Sequence, residues 1–328
     1  MQVKAEAQRL HLSKPFGISR GIKTLAEVIQ VTITSQGHTG FGEAVPYPRF
    51  HETTARCLAL IAALPHHFGR LDLEKLLPAG ASRNAVDAAL WDLEAKITGE
   101  PVWKLAGCGR PQPLPVGYTV SLDNTKAMVS DATAHGTTGV IKIKLGGDDD
   151  AAVIAHIREV APDARLIVDA NEGWSVAEFH TMIPLLIAAE VELIEQPVPS
   201  GDDRELETLD CPIPLCADES FPPGAHVSQL SSAYSCLNIK LDKSGGLTTA
   251  LKDFDAATKL GLDVMVGCMV GSSLSVAPAF LLAQRAAYSD LDGFLHIAAD
   301  HEHPMVQQEG FLTAPELLWG YPSNTPDR

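Results

Sequence analysis

The sequence predicts a (β/α)-barrel preceded by a smaller α+β domain. Three observations predict it. From residue 114 onward, short apolar strands alternate with helical stretches at a repeat of roughly 25 residues, the period of a (β/α) unit. Before residue 112 the pattern mixes strand and helix without that repeat. No long amphipathic helix follows the eighth strand, so the barrel closes one helix short. With 328 residues and 45% apolar content, the chain is long enough for one barrel and one smaller domain.

In chain order, residues 26–34 (AEVIQVTIT) are β-branched and alternating and read as a strand. Ser35-Gln36-Gly37 is a turn, and 40–44 begins a partner strand. Residues 53–64 and 82–98 read as helices. The second carries Val86, Ala89, Leu90 and Leu93 on one face and stops at Gly99. Pro111 and Pro113 mark a boundary, which gives an α+β domain over 1–112. Strands are expected at 114–120, 140–145, 166–169, 191–195, 214–217, 235–241, 263–267 and 287–291, which assigns the barrel to 113–293. Ser175 with Glu178 forms a capping box, and Gly261 closes a helix that begins near Thr248. The segment 294–328, rich in His, Pro and Glu, is expected to pack back on the first domain.

Barrel active sites lie at the C-terminal ends of the strands, and these ends carry charge. Strand two ends Lys142-Ile143-Lys144, strand three Val168-Asp169-Ala170-Asn171 and strand four Ile194-Glu195-Gln196-Pro197. Strand five ends Ala217-Asp218-Glu219 and strand six Asn238-Ile239-Lys240. Ionised carboxylates behind apolar runs are badly desolvated, and three in one barrel mouth repel one another. A divalent cation resolves both problems. All-oxygen ligation by Asp169, Glu195 and Asp218, with positions left for water or substrate, points to Mg²⁺. Lys142 and Lys144 are two apart on a strand and point to one side. Lys240 lies four strands further round. A substrate between Lys144 and Lys240 meets an amine on each face, as two-base racemisation requires. Lys142 and the cation are expected to lower the pKa of the basic lysine. A lone Asp at a strand end is more often a helix cap; the five charged positions on consecutive strands carry the functional reading.

Bulk properties bound the partners. A net charge of −16 repels phosphate backbones and argues against nucleic acid. No apolar run approaches the roughly 20 residues that span a bilayer, and Met1 to Leu10 has no h-region, so neither membrane association nor secretion is expected. The expected location is cytoplasmic, which favours free buried thiols for the six cysteines. Formation of a homo-oligomer is left open.

With these residues assembled, the chain resembles the muconate-lactonizing subgroup of the enolase superfamily. The pieces are Lys-x-Lys at 142–144, Val-Asp-Ala-Asn at 168–171, Glu-Gln-Pro at 195–197, Ala-Asp-Glu-Ser at 217–220 and Asn-Ile-Lys-Leu-Asp-Lys-x-Gly-Gly at 238–246. Their separations are 25, 26, 23 and 22 residues (169 − 144, 195 − 169, 218 − 195, 240 − 218). The resemblance implies a (β/α)7β modified TIM barrel with an α+β capping domain. It implies Mg²⁺ on Asp169, Glu195 and Asp218, with Lys144 and Lys240 as the bases for the (R) and (S) substrates and an enediolate between them. Lys142 would help neutralise the substrate carboxylate.

Within the subgroup the chain is most similar to dipeptide epimerases of the L-Ala-D/L-Glu type, with a small dipeptide as substrate and recycling of cell-wall peptides as the setting. Asp290-Leu291-Asp292-Gly293 looks like the pair that holds a dipeptide's ammonium, and two carboxylates suit one ammonium. Pro46-Tyr47-Pro48-Arg49 and the stretch 77–84 of the first domain look like that group too. Thr119 occupies a position that contacts substrate. In these epimerases a loop near position 20 supplies an arginine to the glutamate side chain. Here Lys23 takes that place with Arg20 nearby; lysine keeps the charge and loses the bidentate fork. o-Succinylbenzoate synthases and cycloisomerases share the ligands and lysines, but their substrates carry no ammonium for Asp290 and Asp292. A non-catalytic, metal-bearing barrel would not need a lysine on each face.

Other motifs are set aside. Gly17-Ile18-Ser19-Arg20-Gly21 matches a nucleophile elbow as a string but lacks the buried strand before it. His296, His301 and His303 do not meet a ligand spacing and read as a solvated tail. Gly146-Gly147 and Gly245-Gly246 are tight turns, since no Lys-Ser/Thr pair follows either.

Overall fold

The computed structural model describes residues 1–136 and 139–322; the last six residues of the expected C-terminal segment lie outside them. The N-terminal unit is an antiparallel sheet of three sequential strands, β1 (Gln2–Ile18), β2 (Gly21–Ser35) and β3 (His38–Ala44). β1 was not expected. It has no buried apolar face, only half-buried and exposed positions down to Gly17, so its sequence carries little hydrophobic signal. Helices α1 (Thr54–Ala62) and α2 (Ala81–Thr98) pack on this sheet. The contact is close enough to need glycine: a Cβ on Gly40 would stand 2.1 Å from the carbonyl oxygen of Ala89.

α2 joins the two halves of the molecule. Val86, Ala89 and Leu93 belong to the core of the N-terminal sheet, while Ala88, Trp91 and Ala95 belong to the core of the barrel. A helix buried on both sides must pair its polar groups internally. Arg83 donates to the carbonyls of Ser244 (2.6 Å) and Gly245 (3.2 Å), and Asn84 Nδ2 donates to Asp242 (3.0 Å).

The second sheet has eight parallel strands in chain order: β5 (Tyr118–Val120), β6 (Val140–Lys144), β7 (Arg165–Asp169), β8 (Val191–Glu195), β9 (Leu215–Ala217), β10 (Cys236–Lys240), β11 (Asp263–Gly267) and β12 (Tyr288–Asp290). The strand expected at 114–120 is split. β4 (Leu114–Pro115) leaves the barrel and pairs antiparallel with β14 (Phe311–Thr313), which also pairs with β13 (Val306–Gln308). Pro113 and Pro115 have no N–H to give to an interior ladder. Between β5 and β12 the contact runs through side chains: Thr119 N–H donates to Asp292 (2.6 Å), and Ser289 Oγ donates to the Pro115 carbonyl.

The connecting helices are α3 (Thr125–His135), α4 (Asp150–Val160), α5 (Val176–Ala188), the four-residue α6 (Asp203–Leu206), α7 (Leu247–Lys259) and α8 (Ser273–Ala283). Among the described residues the unit after β9 has only a 3₁₀ turn, Val227–Gln229, in the helix position, and the one after β12 only the 3₁₀ turn Gly293–His296. Ser175 and Glu178 form the expected capping box on α5. The six cysteines are free, and four of them are buried. No described helix is long and apolar enough to cross a membrane.

Inside the barrel, side chains alternate with period two. Ile167, Leu193, Cys216, Cys236 and Met265 form a dry lower layer. Two residues further along four of these strands lie Asp169, Glu195, Asp218 and Asn238, all buried. The same periodicity that builds the core carries charge into its top.

The contact between the N-terminal unit and the barrel contains a titrating group. Asp242 Oδ1 accepts from Val45 N (2.9 Å) and Asn84, and burial pushes its carboxyl up to about 7. A raised carboxyl stabilises the fold below its unfolded pKa, and that contribution is lost as pH rises through 7. Asp242→Asn should therefore shrink the fall in unfolding free energy between pH 5 and pH 8 by about 2–3 kcal/mol. Urea titrations of both proteins at the two pH values check it; an unchanged difference would sink the assignment.

Candidate active site

The floor of the site is set by strand register. Lys144 pairs with Asp169 across β6 and β7, and Asp169 pairs with Glu195 across β7 and β8. Neighbouring strands lie about 5 Å apart, so in-register charged side chains must touch. Lys144 Nζ is 2.5 Å from Asp169 Oδ2. Lys142 Nζ lies 2.5 Å from Glu195, 2.6 Å from Asp290 and 3.1 Å from Asp169. Lys240 Nζ donates to Asp218 Oδ2 (2.8 Å), and Lys243 Nζ donates to Asp218 Oδ1 (2.6 Å). Glu195 Oε1 accepts from Asn238 (2.7 Å); its Oε2 meets Lys142 as an ion pair without hydrogen-bond geometry.

Electrostatics follow from these contacts. Burial disfavours the charge on Asp169, but Lys144 and Lys142 outweigh it and hold the carboxyl at about 2. Burial also opposes ionisation of Asp218, and there Lys240 and Lys243 hold the carboxyl well below its usual range. Glu195 goes the other way, to about 7, because burial and the neighbouring Asp169 outweigh Lys142. Among the protein groups alone, burial and Lys142 work toward lowering Lys240, while Asp218 and Glu195 hold its ammonium well above the usual range. Lys142, expected as the cation that lowers its neighbours, is itself held well above that range against burial by Asp290, Glu195 and Asp169.

Above this floor is a cavity of about 270 Å³ walled by both parts of the molecule. Lys144 and Lys240 line it from opposite sides of the barrel, with Thr119, Asp290 and Asp292 on the seam side and Lys23 from the N-terminal unit. Lys23 Nζ lies 5.0 Å from the centre of the Tyr47 ring and makes no ion pair among the described residues. Arg20 is not among the lining residues. Its guanidinium docks the β1–β2 turn, next to Lys23 on β2, onto the barrel through Glu219 (2.6 Å) and the Asn171 carbonyl (2.6 Å), and also meets Tyr47 Oη (3.0 Å) of its own unit. Asn171 and Glu172 both have left-handed backbones, φ +46° and +66°, in the turn that receives Arg20, a conformation that non-glycine residues hold only where their surroundings enforce it.

Three residues of the site were not assigned from sequence. Lys243 was quoted as part of a motif without a role; it sits one turn past β10 and shares Asp218 with Lys240. Glu219, next to Asp218, is the anchor for Arg20. His296 was read as a solvated tail residue, yet it is 2% exposed and lines the cavity. His301 contacts Ser272 Oγ (2.9 Å), and His303 is exposed. No reading of spacing alone separates these three histidines.

The donor set fits a hard dication: three carboxylates on adjacent strands, all oxygen, one with an oxygen that accepts no hydrogen bond. As they stand, ammonium groups lie between these carboxylates. Among the described residues no three acidic, His or Cys side chains converge on one point.

A cap of antiparallel sheet and helices on an eight-stranded parallel barrel, with acids and lysines at the strand ends, defines the enolase-like class. Comparison with known proteins agrees. Residues 1–107 match the mandelate racemase/muconate lactonizing enzyme N-terminal domain and residues 124–320 the enolase C-terminal domain-like family, so the chain belongs to this family. It is 40% identical to an N-acetyl-D-glutamate racemase of Pseudoalteromonas sp, over 91% of this chain and 96% of that one. It is 38% identical to an L-Ala-D/L-Glu epimerase of Escherichia coli K12, over 92% and 95%. Its structure matches that of an Agrobacterium tumefaciens enolase family member with homology to dipeptide epimerases, solved with sodium and L-Ala-L-Glu. There the TM-score is 0.94 at 40% identity, over 97% and 99% of the two chains. Other solved dipeptide epimerases of this fold hold magnesium and a dipeptide. The isomerase class expected from the sequence is the class of both named relatives.

Lys142 pairs with three buried carboxylates, so Lys142→Met should leave Glu195 and Asp290 without a cation and cost about 3–5 kcal/mol of stability in EDTA. Urea denaturation measures it. A loss below about 1 kcal/mol, the value of an exposed pair, would contradict this role.

Proposed function

We propose that the protein epimerises the second residue of a dipeptide, L-Ala-L-Glu to L-Ala-D-Glu or a close analogue, by moving the α-proton between Lys144 and Lys240. One observation carries this reading. Two buried lysines, on strands β6 and β10 with three strands between them, face one cavity from opposite sides. Binding a carboxylate needs one cation; exchanging a proton between two faces of one carbon needs two.

In one direction neutral Lys144 takes the proton from Cα, and the ammonium of Lys240 gives one to the opposite face. In the other direction the roles exchange, so no proton is gained or lost. Mg²⁺ held by Asp169, Glu195 and Asp218 would supply positive charge to the substrate carboxylate as the proton leaves. Lys142 adds positive charge beside that carboxylate. Asp290 and Asp292 receive the dipeptide's ammonium beside Thr119. Lys23 meets an acidic side chain from above, and Arg20 acts through the loop it pins and not by touching substrate.

Proton NMR in D₂O with Mg²⁺ and L-Ala-L-Glu tests the reading. The wild type should exchange the glutamate α-proton and invert it. Lys144→Ala and Lys240→Ala should each lose epimerisation by a factor on the order of 10²–10⁴, while each still exchanges the proton of one epimer. Full epimerisation by both variants would refute the two-base assignment.

A further inference from the structure

The amino-terminal end of the cavity is less anionic than two aspartates suggest. Asp290 is already paired with Lys142 at 2.6 Å. Asp292 Oδ2 accepts the Thr119 N–H at 2.6 Å and stands 3.3 Å from His296 Nε2. An ionised carboxylate only accepts, so Nε2 carries the proton. The N-terminal unit fixes the imidazole in place. Phe16 meets the ring edge-on at 4.7 Å between centroids, and Ser13 Oγ donates to the His296 carbonyl at 3.1 Å. His296 is therefore a built part of the wall, 2% exposed, and meets Asp292 beside the Thr119 N–H and the Thr119 side chain.

A bare carboxylate at this end would admit only a cation, because a neutral group would leave the buried charge unmatched. Here each aspartate has a donor of its own. We infer that His296 is a specificity-determining residue: by partnering Asp292 it lets the site take N-acylated amino acids, neutral where a dipeptide carries its ammonium, alongside dipeptides. Such a substrate keeps the carboxylate, the α-proton and the amide, so the lysine chemistry is unchanged. This rests on the two-lysine reading above.

The test compares kcat/KM for N-acetyl-L-glutamate and L-Ala-L-Glu, read as α-proton inversion, in wild type, His296→Phe and His296→Gln, all with Mg²⁺. Phenylalanine keeps a ring against Phe16 and removes the donor; glutamine restores a donor. Wild type should act on both substrates. His296→Phe should lower the ratio of N-acetyl to dipeptide turnover about tenfold, the value of one hydrogen bond to a charged group. His296→Gln should return it toward wild type. A purely structural role would lower both substrates together and leave the ratio unchanged, which would overturn the inference, as would a wild type active on the dipeptide alone. A wild type that turns over neither substrate overturns the two-lysine reading itself, and this inference with it.

Discussion

Charge buried without water must be matched by charge. Asp169 and Glu195 are fully buried, and Lys142 is 1% exposed. Each would be untenable alone in an apolar barrel. Parallel register makes them tenable together, since it places Lys144, Asp169 and Glu195 side by side on three strands. The lower layer of Ile167, Leu193, Cys216, Cys236 and Met265 keeps water out from beneath. Low dielectric then strengthens every contact above it. Fold and site are thus one arrangement: the strands that bury the core also deliver the charges, and the charges are stable only in that register.

The barrel does not complete the cavity. The N-terminal unit supplies Lys23, Phe16 and Tyr47 to its walls. It is held by contacts whose polar partners are themselves buried, such as Arg83 on the carbonyls of Ser244 and Gly245 and Asn84 on Asp242. Arg20 extends this docking to Glu219, the residue next to Asp218. Movement of the loop around Arg20 would therefore be felt at the charged floor, through one side chain and one peptide bond.

The barrel was legible in the sequence because its signals are local. Period-two apolar runs ending in charge mark the strands, and the ligand and base candidates fall at those ends. Features that depend on distant partners were not legible. β1 is a long strand paired with β2, and its apolar residues Val3 and Ala5 are only half-buried against the core. β4 looked continuous with β5 because its true partner, β14, lies almost 200 residues away. His296 resembled its solvated neighbours because burial comes from Phe16 on β1.

The central claim is that the carboxylates on β7, β8 and β9 form one divalent-cation site. The direct measurement is Mg²⁺ binding by isothermal titration calorimetry to the metal-free wild type and to Glu195→Gln, which keeps the shape and removes the central charge. The account predicts one Mg²⁺ per chain for the wild type, with affinity strongly reduced in the variant. Equal binding to both proteins would place the cation elsewhere and contradict it.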